Sequence, residues 1–219
     1  MRGRGDRMRT LVEAAQEAAT CTRCRLAGGR TQVVYGVGNP RADVMFIGEG
    51  PGFHEDRQGE PFVGAAGQLL NRMLAEIELR REDVYIANVI KCRPPGNRDP
   101  LPDEVEACTP WLMEQVALIQ PAIVVTLGNF ATRFVLNKPT SISRVRGQRF
   151  PWHGRTVIPT YHPAAILRGG GESSRQFEQL REDFGLVRFT LEAHEARAKV
   201  AAQAGRTLVV GDDEQMELF

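Results

Sequence analysis

The chain has 219 residues, of which 42% are hydrophobic and 25% are charged, and its formal net charge at pH 7 is +1. This length and composition suit one compact domain plus tails. No apolar run approaches the ~20 residues of a transmembrane helix, and the basic residues 1–9 are not followed by the apolar segment of a secretion signal. We therefore expect a cytoplasmic protein that acts as a monomer and has no membrane partner.

The predicted elements alternate between apolar strands and helices, which is typical of parallel βαβ units. In chain order they are a helix at residues 9–19, a strand at 43–48, a helix at 65–79, a strand at 84–90, a helix at 102–119, a strand at 122–127, a helix at 129–136, a strand at 157–161 and a helix at 173–203. The predicted fold class is α/β, with three α/β/α layers around a central four-stranded, mainly parallel sheet. We expect one domain over residues 1–204 and a flexible, exposed tail over residues 205–219.

Four cysteines are all that the chain contains, and they lie at Cys21, Cys24, Cys92 and Cys108. A chain of this length without a secretion signal is not expected to depend on disulfides. Four converging thiolates would instead hold a structural zinc ion or an iron–sulfur cluster. The alternative is that Cys92 and Cys108 are small buried apolar residues. Spacing alone does not choose between the two metals.

Unusual sequences follow three of the predicted strands, at the ends where doubly wound folds bind their ligands. They are the glycine-rich turn 48–52, Asn88 with the Lys-Cys-Arg of 91–93, and His162 with the apolar segment after it. Glycines let the backbone approach a ligand closely, and exposed amides can hold a water or an oxyanion. The alternatives are a tight turn with solvated acids, a structural histidine and the start of a packed helix. Convergence of these three ends at one sheet edge predicts a functional site.

Charge is distributed unevenly along the chain. Residues 138–175 carry seven cations and one acid, whereas residues 176–219 carry nine acids and five bases. The middle of the chain could therefore face a polyanion, while the C-terminal part could not.

Five motifs together resemble the family 4 uracil-DNA glycosylases, and they occur in the family's order over about residues 10–190. They are Gly48-Glu-Gly-Pro-Gly52 with Glu55-Asp56, Pro61-Phe-Val-Gly64, Asn88 before Lys91-Cys-Arg-Pro94, Asn97-Arg98, and His162-Pro-Ala-Ala-Ile-Leu-Arg168. The resemblance implies hydrolysis of the N-glycosidic bond of deoxyuridine flipped out of double- or single-stranded DNA, which releases uracil and leaves an abasic site. It also implies that the four cysteines ligate a [4Fe–4S] cluster.

The resemblance also implies roles for matching residues. In these roles Phe62 stacks on the base, the Asn88 carboxamide pairs with N3–H and O4 of uracil, and His162 lies near uracil O2. The uracil-binding set is Glu49, Gly50, Pro51, Phe62, Asn88 and His162, and the catalytic set is Glu49, Asn97 and His162. In the catalytic set, the Glu49 turn orders the attacking water and Asn97 lies close to that water. Ile166, Leu167 and Arg168 match a wedge that fills the gap left by the extruded nucleotide.

Two differences within the family bear on this chain. Phe53-His54 stands where many relatives carry acids, which changes the local electrostatics and leaves the reaction as it is. Some relatives capture the sugar through a histidine in an insert after the Asn88 strand. Residues 91–98 contain neither a histidine nor an insert, and this favours ordinary hydrolytic turnover.

The last five residues, Gln-Met-Glu-Leu-Phe at 215–219, resemble the pentapeptide by which bacterial repair proteins bind the β sliding clamp. An extended peptide of this kind docks into an apolar groove, and the alternative is an ordinary frayed terminus. Two other functions stay open for the chain as a whole. One is a non-catalytic iron–sulfur adaptor that binds DNA, and the other is electron transfer through the cluster.

Overall fold

A six-stranded sheet forms the centre of the fold in the computed structural model, which describes residues 9–213 and side chains up to residue 203. The strands are β1 (Val37–Gly38), β2 (Val44–Gly48), β3 (Tyr85–Asn88), β4 (Ile123–Leu127), β5 (Phe150–Trp152) and β6 (Arg155–Thr160). Their order across the sheet is β1-β3-β2-β4-β6-β5. The four central strands are the predicted ones and run parallel, and both outer strands pair antiparallel.

The sheet has two strands more than the four predicted. The additional strands β1 and β5 are two and three residues long. Neither is long enough to show the alternation of apolar and polar residues that identifies a strand in a sequence. They form as edge strands beside a neighbour that is already in the sheet, so tertiary context creates them.

The helices are α1 (Leu11–Ala19), α2 (Phe53–Gln58), α3 (Ala65–Glu76), α4 (Pro102–Ile119), α5 (Gly128–Leu136), α6 (Ile142–Val145), α7 (Pro163–Arg168) and α8 (Arg175–Asp213). The five predicted helices are present, with shifts at their ends. Helix α3 ends at Glu76, before Glu78 adopts a positive φ of 58°. Helix α8 continues to Asp213, so the first nine residues of the expected tail are helical. Within the described residues, no helix is long and apolar enough to cross a membrane.

Helices cover both faces of the sheet and so produce the predicted three-layer α/β/α arrangement. Helices α3, α7 and α8 pack on one face, and α1, α4 and α5 pack on the other. Successive residues of a strand point to opposite faces, so Phe46 joins the first core and Met45 and Ile47 join the second. Strand β2 is buried on both sides, which explains its continuous apolar sequence.

A buried ion pair ties α8 to the loop before β5. The carboxylate of Asp183, which is 1% exposed, accepts from Arg146 Nε at 2.9 Å and from Thr160 Oγ1 at 2.6 Å. We expect Asp183→Ala to lower the free energy of unfolding by about 3–5 kcal/mol, because it leaves the Arg146 charge without its buried partner. Denaturant unfolding monitored by circular dichroism measures the change.

Glu182 provides the matched control for that substitution, because it also contacts Arg146, at 3.2 Å, but is exposed. Glu182→Ala should change the free energy of unfolding by less than about 1 kcal/mol. Equal losses in the two variants would show that burial of the pair does not contribute.

Candidate active site

A cleft of about 610 Å³ opens at the carboxyl ends of the parallel strands β2, β3, β4 and β6. This volume lies within the usual range of small-molecule sites. The site residues predicted from the sequence that line the cleft are Glu49, Gly50, Pro51, Phe62, Asn88, Asn97, His162 and Arg168. The carboxyl ends of parallel strands meet at one edge of a sheet, and that edge gathers residues that are more than 100 positions apart in the chain.

Asn88 is the last residue of β3 and is only 2% exposed. Its Oδ1 has no hydrogen-bond partner among the described residues. An added Cβ at Gly48 would collide with this oxygen and would lie 2.7 Å from Phe62 Cζ, so only glycine leaves room for the amide. An unpaired buried acceptor costs about 1–3 kcal/mol. Such an atom inside a cleft indicates a ligand that donates a hydrogen bond to it.

His162 lies at the start of α7 and presents a neutral imidazole to the cleft. The backbone N–H of Ala164 donates to its Nδ1 at 3.1 Å. Burial lowers the pKa of His162 to about 4, Arg168 lowers it further and Glu55 opposes the shift. At pH 7 the imidazole is therefore neutral, and its proton is on Nε2 because Nδ1 accepts. Gly128, whose φ is +88°, lies beside His162. A Cβ added to this glycine would lie only 2.9 Å from the Cβ of His162.

Phe62 holds an unusual backbone conformation inside the cleft, with a φ of 55°. Its ring is stacked against the His162 ring, with centroids 5.5 Å apart and planes at 30°. The Glu55 carboxylate fixes the following turn, because it accepts from the N–H groups of Val63 at 3.0 Å and Gly64 at 3.1 Å. The turn therefore holds the aromatic ring in place without a ligand.

Arg81 is a site-supporting residue that the sequence did not reveal. Its guanidinium donates to the carbonyl of Phe62 at 3.2 Å and also to that of Pro61. Burial lowers the pKa of Arg81. In the sequence it lies in the run Arg80-Arg81-Glu82, which is typical of a solvated loop. No local signal distinguishes it, because its partners are about 20 residues away.

Glu49 and Asn97 contribute further polar groups to the cleft lining. Burial raises the pKa of Glu49, and the nearby Asp99 raises it further. Asn97 Oδ1 accepts from Arg93 Nε at 2.7 Å. The cleft thus combines an amide acceptor, a neutral N–H donor, an aromatic ring and a carboxylate of increased basicity. This set suits a planar heterocycle with polar edges and removal of a proton from water.

The apolar segment after His162 forms α7, and its residues do not all face the cleft. Ile166 is fully buried in the core with α3 and α8. Its predicted place in a wedge is therefore wrong, because the helical period turns this side chain inward. Leu167 is 38% exposed, and Arg168 is exposed and lines the cleft.

The four cysteines line a second, separate and much smaller cavity. Three of them have N–H groups close to their sulfur atoms. Trp111 Nε1 donates to Cys21 at 3.4 Å, Arg30 Nη1 to Cys92 at 3.6 Å, and the backbone N–H of Lys91 to Cys108 at 3.2 Å. Hydrogen bonds to sulfur are typical of ligated thiolates. Among the described residues, no three histidine, cysteine, aspartate or glutamate side chains lie close enough together to bind one metal ion.

Burial raises the pKa of the Cys92 thiol to about 11 and also raises that of Cys108. Thiolates at these positions need a compensating positive charge at neutral pH. A metal group bound by the four sulfur atoms would supply such a charge, so the chemistry of the donor set suits an iron–sulfur cluster or zinc.

Comparison with known proteins places the cleft within a family. The sequence profile of the Uracil DNA glycosylase superfamily matches residues 35–185. A type-4 uracil-DNA glycosylase of Archaeoglobus fulgidus is 51% identical over 168 residues, which cover 73% of this chain and 84% of that protein. A type-4 uracil-DNA glycosylase of Thermotoga maritima is 47% identical over 169 residues, which cover 76% of this chain and 88% of that protein. A type-5 enzyme of Thermus thermophilus is 32% identical over 164 residues, covering 65% and 74%.

The match to the superfamily covers both the cleft and two of the four cysteines, Cys92 and Cys108. The identity to the two type-4 proteins exceeds that to the type-5 protein by 15 percentage points or more. The chain therefore belongs to the uracil-DNA glycosylase superfamily and, within it, to the type-4 uracil-DNA glycosylases.

Proposed function

We propose that the protein hydrolyses the N-glycosidic bond of deoxyuridine flipped out of DNA, which releases uracil and leaves an abasic site for base-excision repair. The observation that carries the proposal is the unpaired, buried Oδ1 of Asn88 inside the cleft. An acceptor at this position selects a ring N–H such as N3–H of uracil. It rejects cytosine, whose N3 carries no hydrogen and would leave the buried oxygen unpaired.

Oligonucleotides that differ at one base test this function directly. The expected result is release of uracil from a strand with one deoxyuridine and no base release from the matched cytosine strand. The strand should break only after alkaline treatment, because the reaction ends at the abasic site. A non-catalytic DNA-binding adaptor would bind the strand and release nothing, and that outcome would contradict the proposal.

Recognition of the base uses groups that are already in place. Phe62 supplies the stacking face, and its turn is fixed by Glu55 and Arg81. Asn88 accepts from N3–H through Oδ1 and donates to O4 through its amide nitrogen. Preorganised groups of this kind lower the entropic cost of binding an extruded base.

Bond cleavage separates charge, since the sugar becomes oxocarbenium-like while the base leaves as an anion. The Nε2–H of His162 donates to uracil O2 and stabilises this anion without giving up its proton. On the other side of the sugar, the Glu49 carboxylate takes a proton from the water that attacks C1′. Asn97 helps to hold this water, and Arg93 fixes its amide oxygen.

The pH dependence of cleavage should follow Glu49. Burial raises its pKa above the ordinary value of 4.5, and only the ionised form accepts a proton from water. We therefore expect kcat/KM to fall as pH decreases through this raised pKa, while His162, with a pKa of about 4, is still neutral. Glu49→Gln should lower kcat/KM by about 10²–10⁴-fold and remove this acidic decrease. An unchanged acidic decrease in the variant would assign it to another group.

We also propose that Cys21, Cys24, Cys92 and Cys108 hold a [4Fe–4S] cluster. The hydrogen bonds to three of the sulfur atoms and the shared cavity support this ligand set. When bound, the cluster would serve as a structural centre that neutralises buried thiolates. It would join the segment after α1, which carries Cys21 and Cys24, to the segment between β3 and α4, which carries Cys92 and Asn97, and to Cys108 of α4.

Loss of one ligand should remove the metal and destabilise the fold. Cys108→Ala is expected to lower iron from roughly four atoms per chain and to remove the visible absorption band of anaerobically purified protein. Melting temperature should fall in the same sample, because metal binding contributes to folding. Zinc instead of iron in the wild-type protein would refute the cluster while keeping the ligand set.

For the DNA contact, we propose that Leu167 and Arg168 act on the strand from which the nucleotide is extruded. Leu167 is partly exposed at the end of α7, and Arg168 places a cation at the cleft. An apolar side chain can fill the gap in the base stack, and a guanidinium can contact a phosphate. A single copy of the protein carries all these groups, in keeping with a monomer.

The clamp-binding peptide, residues 215–219, lies outside the described residues. We propose that it docks into the β sliding clamp as an extended segment. Deletion of residues 215–219 should abolish capture by the purified clamp and leave uracil release from oligonucleotides unchanged. Clamp capture that survives the deletion would refute this proposal.

A further inference from the structure

Phe53 is an exposed aromatic residue at the rim of the cleft. It is 46% exposed and directly follows Gly52, which lines the cleft. Six large apolar side chains are exposed in the described part of the chain, and three of them adjoin a cleft-lining residue in sequence: Phe53, Leu101 and Leu167. Exposed apolar groups gathered around a binding cleft indicate an interaction surface.

Two arginines lie against the ring of Phe53. The guanidinium carbons of Arg57 and Arg93 are 5.6 Å and 5.1 Å from the ring centroid. Arg93 also donates to Asn97 Oδ1 at 2.7 Å, and Asn97 lines the cleft. The aromatic and cationic groups are therefore continuous with the lining of the cleft.

The acidic residues of α2 do not face this surface. Glu55 is directed to the turn at Val63 and Gly64. Asp56 is buried and accepts from the N–H of Thr31 at 2.9 Å. Helix α2 thus turns its carboxylates to internal donors, and an aromatic ring with adjacent guanidinium groups remains outside. This combination of π face and positive charge is typical of sites for unpaired nucleotides.

We propose that Phe53, Arg57 and Arg93 form a platform for the unpaired base next to the extruded uridine. The neighbouring base stacks on this platform, and its phosphate contacts the guanidinium groups. A base paired in a duplex is not available for such stacking, so the platform favours uracil in single-stranded DNA. This inference rests on the proposed glycosylase function and adds a substrate preference to it.

Phe53→Ala tests the platform with single-stranded and duplex oligonucleotides that contain one deoxyuridine. We expect KM for the single strand to rise about 5- to 150-fold, the usual effect of removing one stacked aromatic ring. KM for a U·A duplex should change less than about 2-fold. Phe53→Trp should retain single-strand binding, and Phe189→Ala, which removes a 60% exposed ring of α8, should change neither value.

A strand whose two nucleotides flanking the uridine lack bases separates stacking from a general structural effect. On this strand the variant Phe53→Ala and the wild-type protein should have the same KM, because no flanking base is present to stack on the platform. An equal loss on the normal and the flank-abasic strands, or no loss on the normal strand, would overturn the proposal. Binding to an uncleavable 2′-fluoro strand, measured by fluorescence anisotropy, reports the platform even if the wild-type protein releases no uracil.

Discussion

Asn88→Ala is expected to lower kcat/KM for uracil release by about 10³-fold, since it would remove both proposed hydrogen bonds to the base. The free energy of unfolding should change little. In the protein without DNA the Oδ1 of Asn88 has no partner among the described residues, so its removal forfeits no internal hydrogen bond. Single-turnover kinetics on a deoxyuridine oligonucleotide, together with denaturant unfolding, give both quantities.

Asn129 offers a matched control, because it is a second amide at the cleft whose oxygen is already paired. Its Oδ1 accepts from the N–H of Ile142 at 2.8 Å. Asn129→Ala should therefore lower the stability by about 1 kcal/mol and reduce uracil release far less than Asn88→Ala. Similar losses of activity in the two variants would mean that Asn88 does not read the base.

Much of this architecture could be predicted because its signals are local. The four central strands are continuous apolar runs, as strands covered on both faces must be. Edge strands β1 and β5 could not be predicted, since two or three residues carry no period and form only beside β3 and β6. The end of α8 differs for another reason. Residues 205–213 contain no proline, and their two glycines, Gly205 and Gly211, weaken the helix without ending it.

The site divides in the same way. Residues at or just after the end of a strand, such as Asn88 and His162, could be placed because the carboxyl ends of parallel strands meet at one edge of the sheet. Arg81 could not, since its function depends on carbonyl groups of a distant turn. The predicted wedge role of Ile166 is wrong because a motif resemblance does not show which side of a short helix faces the core. Its neighbour Leu167, one position along, does reach the surface.

Lys91 connects the cysteine cavity to the cleft. Its backbone N–H donates to Cys108 Sγ at 3.2 Å, and its buried Nζ donates to the carbonyl of Asn88 at 2.8 Å and to Gln115 Oε1 at 2.5 Å. The residue proposed to read the base is thus held, at its backbone carbonyl, by a side chain whose own backbone contacts a proposed cluster ligand. The proposed cluster would therefore support catalysis by fixing Asn88, without a chemical step of its own.

His162→Ala should cost about 10²–10³-fold in kcat, the usual effect of removing one donor that faces a developing anion. The donor is a neutral imidazole, because burial lowers the pKa of His162 to about 4. Its Nδ1 already accepts a hydrogen bond from the backbone, so Nε2 carries the proton. Protonation therefore cannot explain its contribution at neutral pH. His162→Gln, which keeps an N–H donor, should recover part of the rate. Quenched-flow measurement of uracil release gives kcat for each variant.

The same variants decide whether His162 is chemical or structural. Its ring packs on Phe62 and its Nδ1 accepts from the backbone at the start of α7, so a purely structural histidine would also lower the activity when removed. A chemical role predicts that His162→Ala retains the visible absorption of the cluster and the KM for DNA while kcat falls. His153→Ala, at an exposed position, should alter none of them. Loss of cluster absorption together with activity would make His162 a structural residue, and the donor to uracil O2 would then have to be another group of the cleft.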